Sequence, residues 1–403
     1  MDDQRQTTST SLQGKETLTR NYTVGISETT PFGLQAKASY SVTETDIKGA
    51  SSSLVQTPRF FDAKPQLELT QSLWRNGFGA ETRATQEQIE SQALFSSHSE
   101  NYKRKGLLAE AEGIYWRLVQ SREMLLMQKE SLKRAQKIRD WALRRANLQL
   151  GDHSDLLQAE AALKLKALEL RAAMDEEHGS ARQFNSFRGI ENDSVSESLL
   201  ELPMIDFKTI ETPPRADFRE DVLAVKEQSR SVQAATRVAV EKNSPILELF
   251  ANLSLNGRNK AFSESHRQSW TSDHPVYVVG IRFSTPLHFG VMKDTMAGYH
   301  KEKQASVLVF QRKAFEQQQE WRDLSRKLSE TKARLELSVA IEKAQQEKLS
   351  YEKTRHSKGR TTTYQVLLFE QDFANAQLNR IRVQGDILRI IAQMKTFSGK
   401  AGS

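Results

Sequence analysis

The 403-residue chain contains no cysteine, which excludes disulfides, thiolate metal sites and thiol catalysis. It has no apolar run near the roughly 20 residues that a membrane-spanning helix needs. The best run, Val276 to Ile281, is far too short. Residues 1–20 are mostly Ser, Thr, Gln and charges, without the apolar centre of a secretory signal. Proline is scarce as well, with nine in all and none in 66–202 or 287–403. Because proline breaks helix interiors, those two tracts are free to carry long helices. Catalytic constellations are also missing. The eight histidines are scattered and none lies in a His-Glu-x-x-His zinc motif. No enzyme activity, cofactor or metal is expected.

The charge balance is ordinary by comparison. A net +7 raises the question of a nucleic-acid partner. Lys and Arg alternate with Glu and Gln along the helical tracts, however, as on solvated helix faces. No nucleic acid is expected. The 37% hydrophobic content suits a helix-rich soluble chain. It equally allows a β-barrel, whose alternating strands barely move an average.

What is present is periodicity. Leu107, Ala111, Ile114, Leu118, Ser121 and Leu125 step by three and four, and Leu132, Ala135, Ala142 and Ala146 continue the stripe. Leu324, Leu328 and Leu335 mark a second stripe. Near-heptad stripes rich in alanine predict helices packed closely side by side. A helix from about 80 to 148 would be roughly 100 Å long at 1.5 Å per residue, so an elongated molecule is expected. Each long helix ends at a glycine turn, Leu150-Gly151-Asp152-His153-Ser154-Asp155 or Lys358-Gly359-Arg360-Thr361-Thr362. Glycine suits the left-handed C-terminal position, and the polar residues after it can cap a new helix. Each tract therefore reads as a helical hairpin. His153 beside Asp152 and Asp155 reads as solvated turn rather than as a ligand set.

Strand patterns precede each hairpin. Phe32, Leu34, Ala36, Ala38, Tyr40 and Val42 alternate with Gly33, Gln35, Lys37, Ser39 and Ser41. Leu67, Leu69 and Leu73 form a second apolar phase, Leu247 to Leu255 a third, and Tyr277, Val279, Ile281 and Phe283 a fourth. Period-two alternation gives each strand one apolar and one polar or small face. Polar loops around 46–58 and 256–274 join the pairs. The chain is thus an internal repeat of strand, loop, strand, long helix, glycine turn and shorter helix. Four strands cannot close a barrel, and an open sheet in lipid leaves unpaired edges. Several protomers sharing one barrel would solve this. Gly77, Gly79, Pro286 and Gly290 mark the two strand-to-helix junctions. Gly77-Phe78-Gly79 is too short for a dinucleotide loop and reads as a flexible joint.

These segments resemble a known family. Pro65-Gln-Leu-Glu-Leu-Thr-Gln-Ser-Leu-Trp-Arg-Asn-Gly77 resembles the second-strand motif of the TolC-like outer-membrane factors, and Val279 to Gly290 its repeat. Arg215-Ala-Asp-Phe218 and the alanine-rich helix to Pro245 resemble the helix before the third strand. Gly151 to Ala159 and His356 to Glu370 resemble the two hairpin tips. The resemblance covers nearly the whole chain from about residue 22, and the order, spacing and duplication of the motifs carry it. It implies a mixed α and β membrane protein with four transmembrane β-strands per protomer. Three protomers would close a twelve-stranded barrel, continued by long coiled-coil-like α-helical hairpins that form a periplasmic α-barrel. The protein would be a homotrimeric passive exit duct in outer-membrane lipid, extending into the periplasm. It would dock to a periplasmic adaptor and an inner-membrane transporter in a tripartite efflux or type I secretion system.

On this reading residues 1–21 are a disordered or truncated start, 22–180 the first repeat, 181–214 a linker, 215–398 the second repeat and 399–403 a tail. Leu150, Gly151, Asp152, Asp155, Lys358, Gly359, Arg360 and Thr361 are the docking candidates. In a trimer Asp152 and Asp155 would form an aperture ring of carboxylates favouring cations, with Lys358 and Arg360 on the other tip offsetting it. Phe32, Leu34, Tyr40, Leu67, Leu249, Tyr277, Ile281 and Phe283 should face lipid, and Gln35, Lys37, Glu68 and Arg282 the lumen. The family pattern has a signal peptide and a helix before the first strand. Residues 1–20 supply neither, so the natural gene is expected to extend upstream; the other reading is a degenerate member. A soluble coiled-coil scaffold or a periplasmic adaptor-like protein is the alternative. The scaffold does not account for four amphipathic strands, and an adaptor normally carries one hairpin rather than two duplicated halves.

Overall fold

The structure, a computed structural model, describes residues 2–5, 16–49, 55–149, 152–202 and 212–399. In chain order the strands are β1 (Asp2–Arg5), β2 (Glu16–Thr29), β3 (Leu34–Lys48), β4 (Arg59–Ser72), β5 (Ile246–Ser254), β6 (Gly257–Asn259) and β7 (Val276–Ser284). The helices are α1 (Ala80–Asn147), α2 (His153–Phe187), α3 (Glu220–Lys242), α4 (Phe262–Gln268), α5 (Phe289–Ser357) and α6 (Thr363–Lys395). The chain divides into two compact units, Met1–Phe95 with Lys226–Phe310, and Ser96–Val225 with Gln311–Ser403.

The first unit holds the sheet, whose order is β1-β2-β3-β4-β5-β7, with β6 paired to β4. The four expected strands are β3, β4, β5 and β7. Three further strands, β1, β2 and β6, join them in the sheet. Within the start at 1–21, given above as disordered or truncated, β2 begins at Glu16 and pairs with β3 from Glu16 opposite Lys48 to Thr29 opposite Gln35. Phe32, expected on a strand, lies in the turn between β2 and β3, where Thr30 N–H donates to Leu34 O at 2.9 Å and Gly33 N–H to Thr30 O at 3.0 Å. The 256–274 loop contains β6 and the short helix α4.

Directly opposed residues of an antiparallel pair share a face. Ala38 lies opposite Leu67, Leu67 opposite Leu253, and Leu253 opposite Tyr277. The rows on either side continue this phase, so the apolar alternations of all four strands fall on one side. Tyr22, Val24 and Ile26 of β2, opposite Val42, Tyr40 and Ala38, join the same side. Lys37 lies opposite Glu68, and Glu248 opposite Arg282, on the other side.

The second unit is helical, and proline-free sequence allows α1 and α5 to run unbroken for 68 and 69 residues. Within it α5 and α6 pack through Leu328, Leu335, Val383, Ile387 and Met394. Nearer the tips, Ile138 of α1 joins Leu349, Val366 and Phe373. Leu156 of α2 packs between the two alanines Ala142 and Ala159 to close the α1–α2 pair. The first predicted stripe is buried at Ile114, Leu118 and Ser121, while Leu107 is exposed. The first hairpin helix runs seven residues beyond the expected boundary at 180, to Phe187; it contains no proline, and the single Gly179 within it costs only about 1 kcal/mol.

Candidate functional site

Two features present chemistry, the two-faced sheet with its junctions and the helical tips. On the polar face of the sheet, Arg282 pairs with Glu248 at 3.3 Å and its guanidinium lies 5.3 Å from the Phe250 ring centroid. On the apolar face, Tyr277 and Ile281 are 72% and 70% exposed. The apolar phase ends past Val42 in a charged row, where Glu44 takes Arg20 at 3.1 Å and Arg59 at 2.6 Å. On the other side of the sheet Asp62, opposite Thr43, is gripped by Arg258 through two hydrogen bonds of 2.5 and 2.9 Å. Tyr40 stacks on Trp270 at 5.9 Å and its hydroxyl meets His266 Nδ1 at 2.5 Å, so the segment around α4 covers part of the apolar face.

The first strand-to-helix junction carries several hydrogen bonds. Asn76 and Phe78 are left-handed, with φ of 55° and 49°. Asn76 N–H donates to Glu241 Oε2 at 3.1 Å, and Asn76 Oδ1 accepts from Thr82 N–H at 2.9 Å. Arg83 donates to Pro31 O at 2.9 Å and to Phe78 O at 2.6 Å, tying the junction to the β2–β3 turn. Gly79, at φ +83°, lies so close to that turn that a Cβ would stand 1.8 Å from Pro31 O. Gly77 and Gly290 have open space instead. Pro286 lies in the short connection between β7 and α5.

At the tips, Leu150 and Gly151 lie outside the described residues. Asp152 caps α2, its carboxylate accepting from Ser154 N–H at 3.0 Å. That backbone hydrogen bond, with the Ser154 hydroxyl, holds the Asp152 pKa below the usual carboxylate range, so the tip carries an ionised acid. At the other tip Gly359, at φ +68°, ends α5, with Arg360 N–H returning to Arg355 O at 2.9 Å. Lys358, Gly359 and Arg360 are exposed. Thr362, not Thr361, caps α6, accepting from Gln365 N–H at 3.3 Å.

Sequence reasoning missed the residue that joins the tips. His356 is buried, 3.8 Å from the Trp141 ring centroid, with Nε2 3.3 Å from Thr363 Oγ1. Burial, then the charge of Arg145, pushes its pKa down, against smaller opposing effects of Asp155 and Glu352. Asp155 is half-buried and acts on this hub, whereas Asp152 is exposed. Arg145 lies 4.8 Å from the Trp141 ring centroid. His356 therefore gathers groups from α1, α2, α5 and α6. Since its pKa is lower folded than unfolded, its contribution to stability is complete above the unfolded value of about 6.5. It declines as pH falls from there towards the folded value. Below pH 6.5, thermal melting of the His356→Gln protein is expected to shift less with pH than that of the parent. Parallel curves would remove this role.

A second network, also invisible in the sequence, anchors the start of α3. Arg219 is 5% exposed. Its Nε and Nη2 donate to the two Asp221 oxygens at 2.7 and 2.8 Å, and Nη1 donates to Glu320 at 2.7 Å. Its guanidinium lies 4.4 Å from the Phe397 ring centroid and 5.0 Å from that of Tyr102. Burial works against the charges, but mutual hydrogen bonding more than offsets it, raising the Arg219 pKa and lowering that of Asp221. Lys313 adds a contact to Asp221 at 3.2 Å.

Among the described residues no group of His, Asp and Glu is arranged to hold a metal ion. No helix among them is long and apolar enough to cross a membrane. No family model and no curated protein matches the sequence. Solved structures do. The outer-membrane channel OprN is similar at a TM-score of 0.67 and 16% identity, over 94% of this chain and 82% of that one. The outer membrane protein VceC of Vibrio cholerae gives 0.67 at 14% identity, over 91% and 87%. The Campylobacter jejuni CmeC outer membrane channel gives 0.65 at 16% identity, over 96% and 78%. A sheet with one apolar and one polar side, duplicated long hairpins and these neighbours agree, and the fold of this chain is TolC-like.

Proposed function

We propose that this chain is the protomer of a homotrimeric exit duct in an outer membrane, a passive channel and not an enzyme. One observation carries the proposal. The apolar side of the sheet runs from Leu34 to Val42 on β3 in step with β4, β5 and β7. That stretch, Leu34 to Val42, is close to the roughly 9–11 residues that a tilted strand needs to cross a bilayer. The row of Glu44, Arg20 and Arg59 then stands at the membrane's polar edge. Strands β3, β4, β5 and β7 of three copies would make a twelve-stranded barrel, with Gln35, Lys37, Glu68 and Arg282 in its lumen. The helices would continue the duct through the periplasm. The solved neighbours include outer-membrane channels, which supports the same reading.

At the far end the tips would meet the periplasmic adaptor of an inner-membrane pump. Asp152 is the better aperture carboxylate, because Asp155 is drawn towards His356. Lys358, Gly359, Arg360 and Thr361, with Asp152, would make the docking surface. The chain has no cysteine, so single cysteines report cleanly. The purified protein is expected to conduct ions in planar bilayers. In its own cell, a photo-crosslinker on Arg360→Cys should trap a periplasmic partner that one on Lys37→Cys does not. Absence of conductance would remove the duct. Conductance without a tip-specific adduct would remove the docking role.

A further inference from the structure

Strand β2 occupies an edge that the proposed ring needs. Consecutive partners in the sheet are all antiparallel, so β3 and β7 run in opposite senses while β2 and β7 run in the same sense. Rotation about a barrel axis preserves the sense of every strand. In a ring of copies, β7 of one copy therefore meets β3 of the next in antiparallel fashion, but would meet β2 in parallel. Bacterial outer-membrane barrels are antiparallel and even-stranded, and parallel pairs are slightly weaker per residue. Four strands per copy satisfy both conditions, five in each of three copies satisfy neither, and β1, with 4 residues, is too short to serve as a sixth spanning strand.

We propose that β2 is a placeholder. In the lone protomer it caps the edge of β3, and on assembly β7 of a second copy displaces it. This rests on the ring reading above. The details of β2 suit the role. It mimics β7, setting Tyr22, Val24 and Ile26 on the side where β7 sets Tyr277, Val279 and Ile281. Those three β2 residues are 65%, 79% and 78% exposed, so almost nothing but β3 holds them. Strand β1 covers the other edge of β2 only from Glu16 to Thr19. The ion pairs to β3 also lie at that end, Glu16–Lys48 at 3.4 Å and Arg20–Glu44 at 3.1 Å. Gly25 weakens the middle of the strand. The turn that follows is pinned to the α1 junction by Arg83 on Pro31, giving β2 a fixed pivot beside Thr30. The 9 residues of β7 match the stretch of β3 from Leu34 to Val42 that β2 would vacate. An unpaired edge invites association with any other strand. A strand that covers the edge until a proper partner arrives confines pairing to copies of this chain.

The absence of cysteine makes the test direct. Thr23 and Ser41 are directly opposed, within reach of a disulfide. The Thr23→Cys/Ser41→Cys chain, purified in detergent and returned to phosphatidylcholine vesicles, is sized by light scattering while oxidised and again after reduction. The oxidised protein is expected to stay monomeric and the reduced protein to form trimers, with at least a tenfold difference in trimer yield. The complementary Val24→Pro/Gly25→Pro chain, whose β2 pairs poorly, is expected to form trimers faster than the parent. Equal trimer yield in both redox states overturns the placeholder and leaves the ring standing. No trimer in either state overturns the ring and the placeholder together. Assembly of the proline variant no faster than the parent also overturns the placeholder.

Discussion

Arg219→Ala should lower the unfolding free energy of the protein by about 3 kcal/mol or more, because it leaves the buried Asp221 carboxylate without its bidentate partner. Lys313, at 3.2 Å from Asp221, offsets part of the loss, which places the effect near the lower end of the usual 3–5 kcal/mol for breaking one side of a buried pair. The double replacement Arg219→Met with Asp221→Leu removes both charges and keeps the volume. It should recover most of the loss. Urea unfolding of the detergent-solubilised protein, followed by helical circular dichroism, measures both. A single variant costing less than about 1 kcal/mol would show that the pair is no better than a surface contact.

The second large effect concerns the phase of the sheet. Leu67 lies mid-band on the apolar side and Gln66 on the polar side of the same strand. An arginine facing lipid near the midplane costs roughly 2–4 kcal/mol, which is roughly a 30- to 700-fold change in the folding constant. Leu67→Arg should therefore fold poorly into lipid vesicles, while Gln66→Arg, facing the polar side, should fold almost as the parent does. Equal tolerance of the two would mean that the apolar side is not the lipid side. A reversed order would place the lumen where the belt is drawn.

Much of this architecture was legible in the sequence because it rests on local rules. Proline-free tracts permit long helices, glycine ends them, and period-two alternation marks β3, β4, β5 and β7. The helix expected from about 80 to 148 is Ala80–Asn147, and the alanine-rich one expected between Phe218 and Pro245 is Glu220–Lys242. Strand β2 escaped because its sustained alternation holds for only Tyr22, Val24 and Ile26, and apart from Leu18 its other residues are Thr, Ser, Glu, Arg, Asn and Gly. What makes it a strand is pairing with β3, which a local pattern does not record. The same holds for His356 and Arg219. His356 gathers Trp141, which lies 215 residues earlier, and Thr363; Arg219 gathers Tyr102, Glu320 and Phe397. Convergence over such separations leaves no motif. The tip turns were legible through helix-ending chemistry, yet which threonine caps α6 depended on geometry one residue away.

The close approach of Gly79 to the β2–β3 turn bears on how this chain can drift in sequence. Gly33 and Gly79 face each other, both at positive φ. A Cβ on Gly33 would stand 2.7 Å from Gly79 N, and one on Gly79 would stand 1.8 Å from Pro31 O. In each case the obstacle is backbone, which no rotamer change can move aside. The faces of the sheet can exchange one apolar or polar residue for another of similar kind, so lineages can wander there by small steps. At the interlock no single step is open, since any side chain at either position collides before a second change can accommodate it. Variation there has to come as a jump, with the turn rebuilt in length together with the junction. Sequence divergence in such a protein would accumulate freely along the faces of the sheet and the solvent-facing helix surfaces and stall at two small residues where sheet and helix meet.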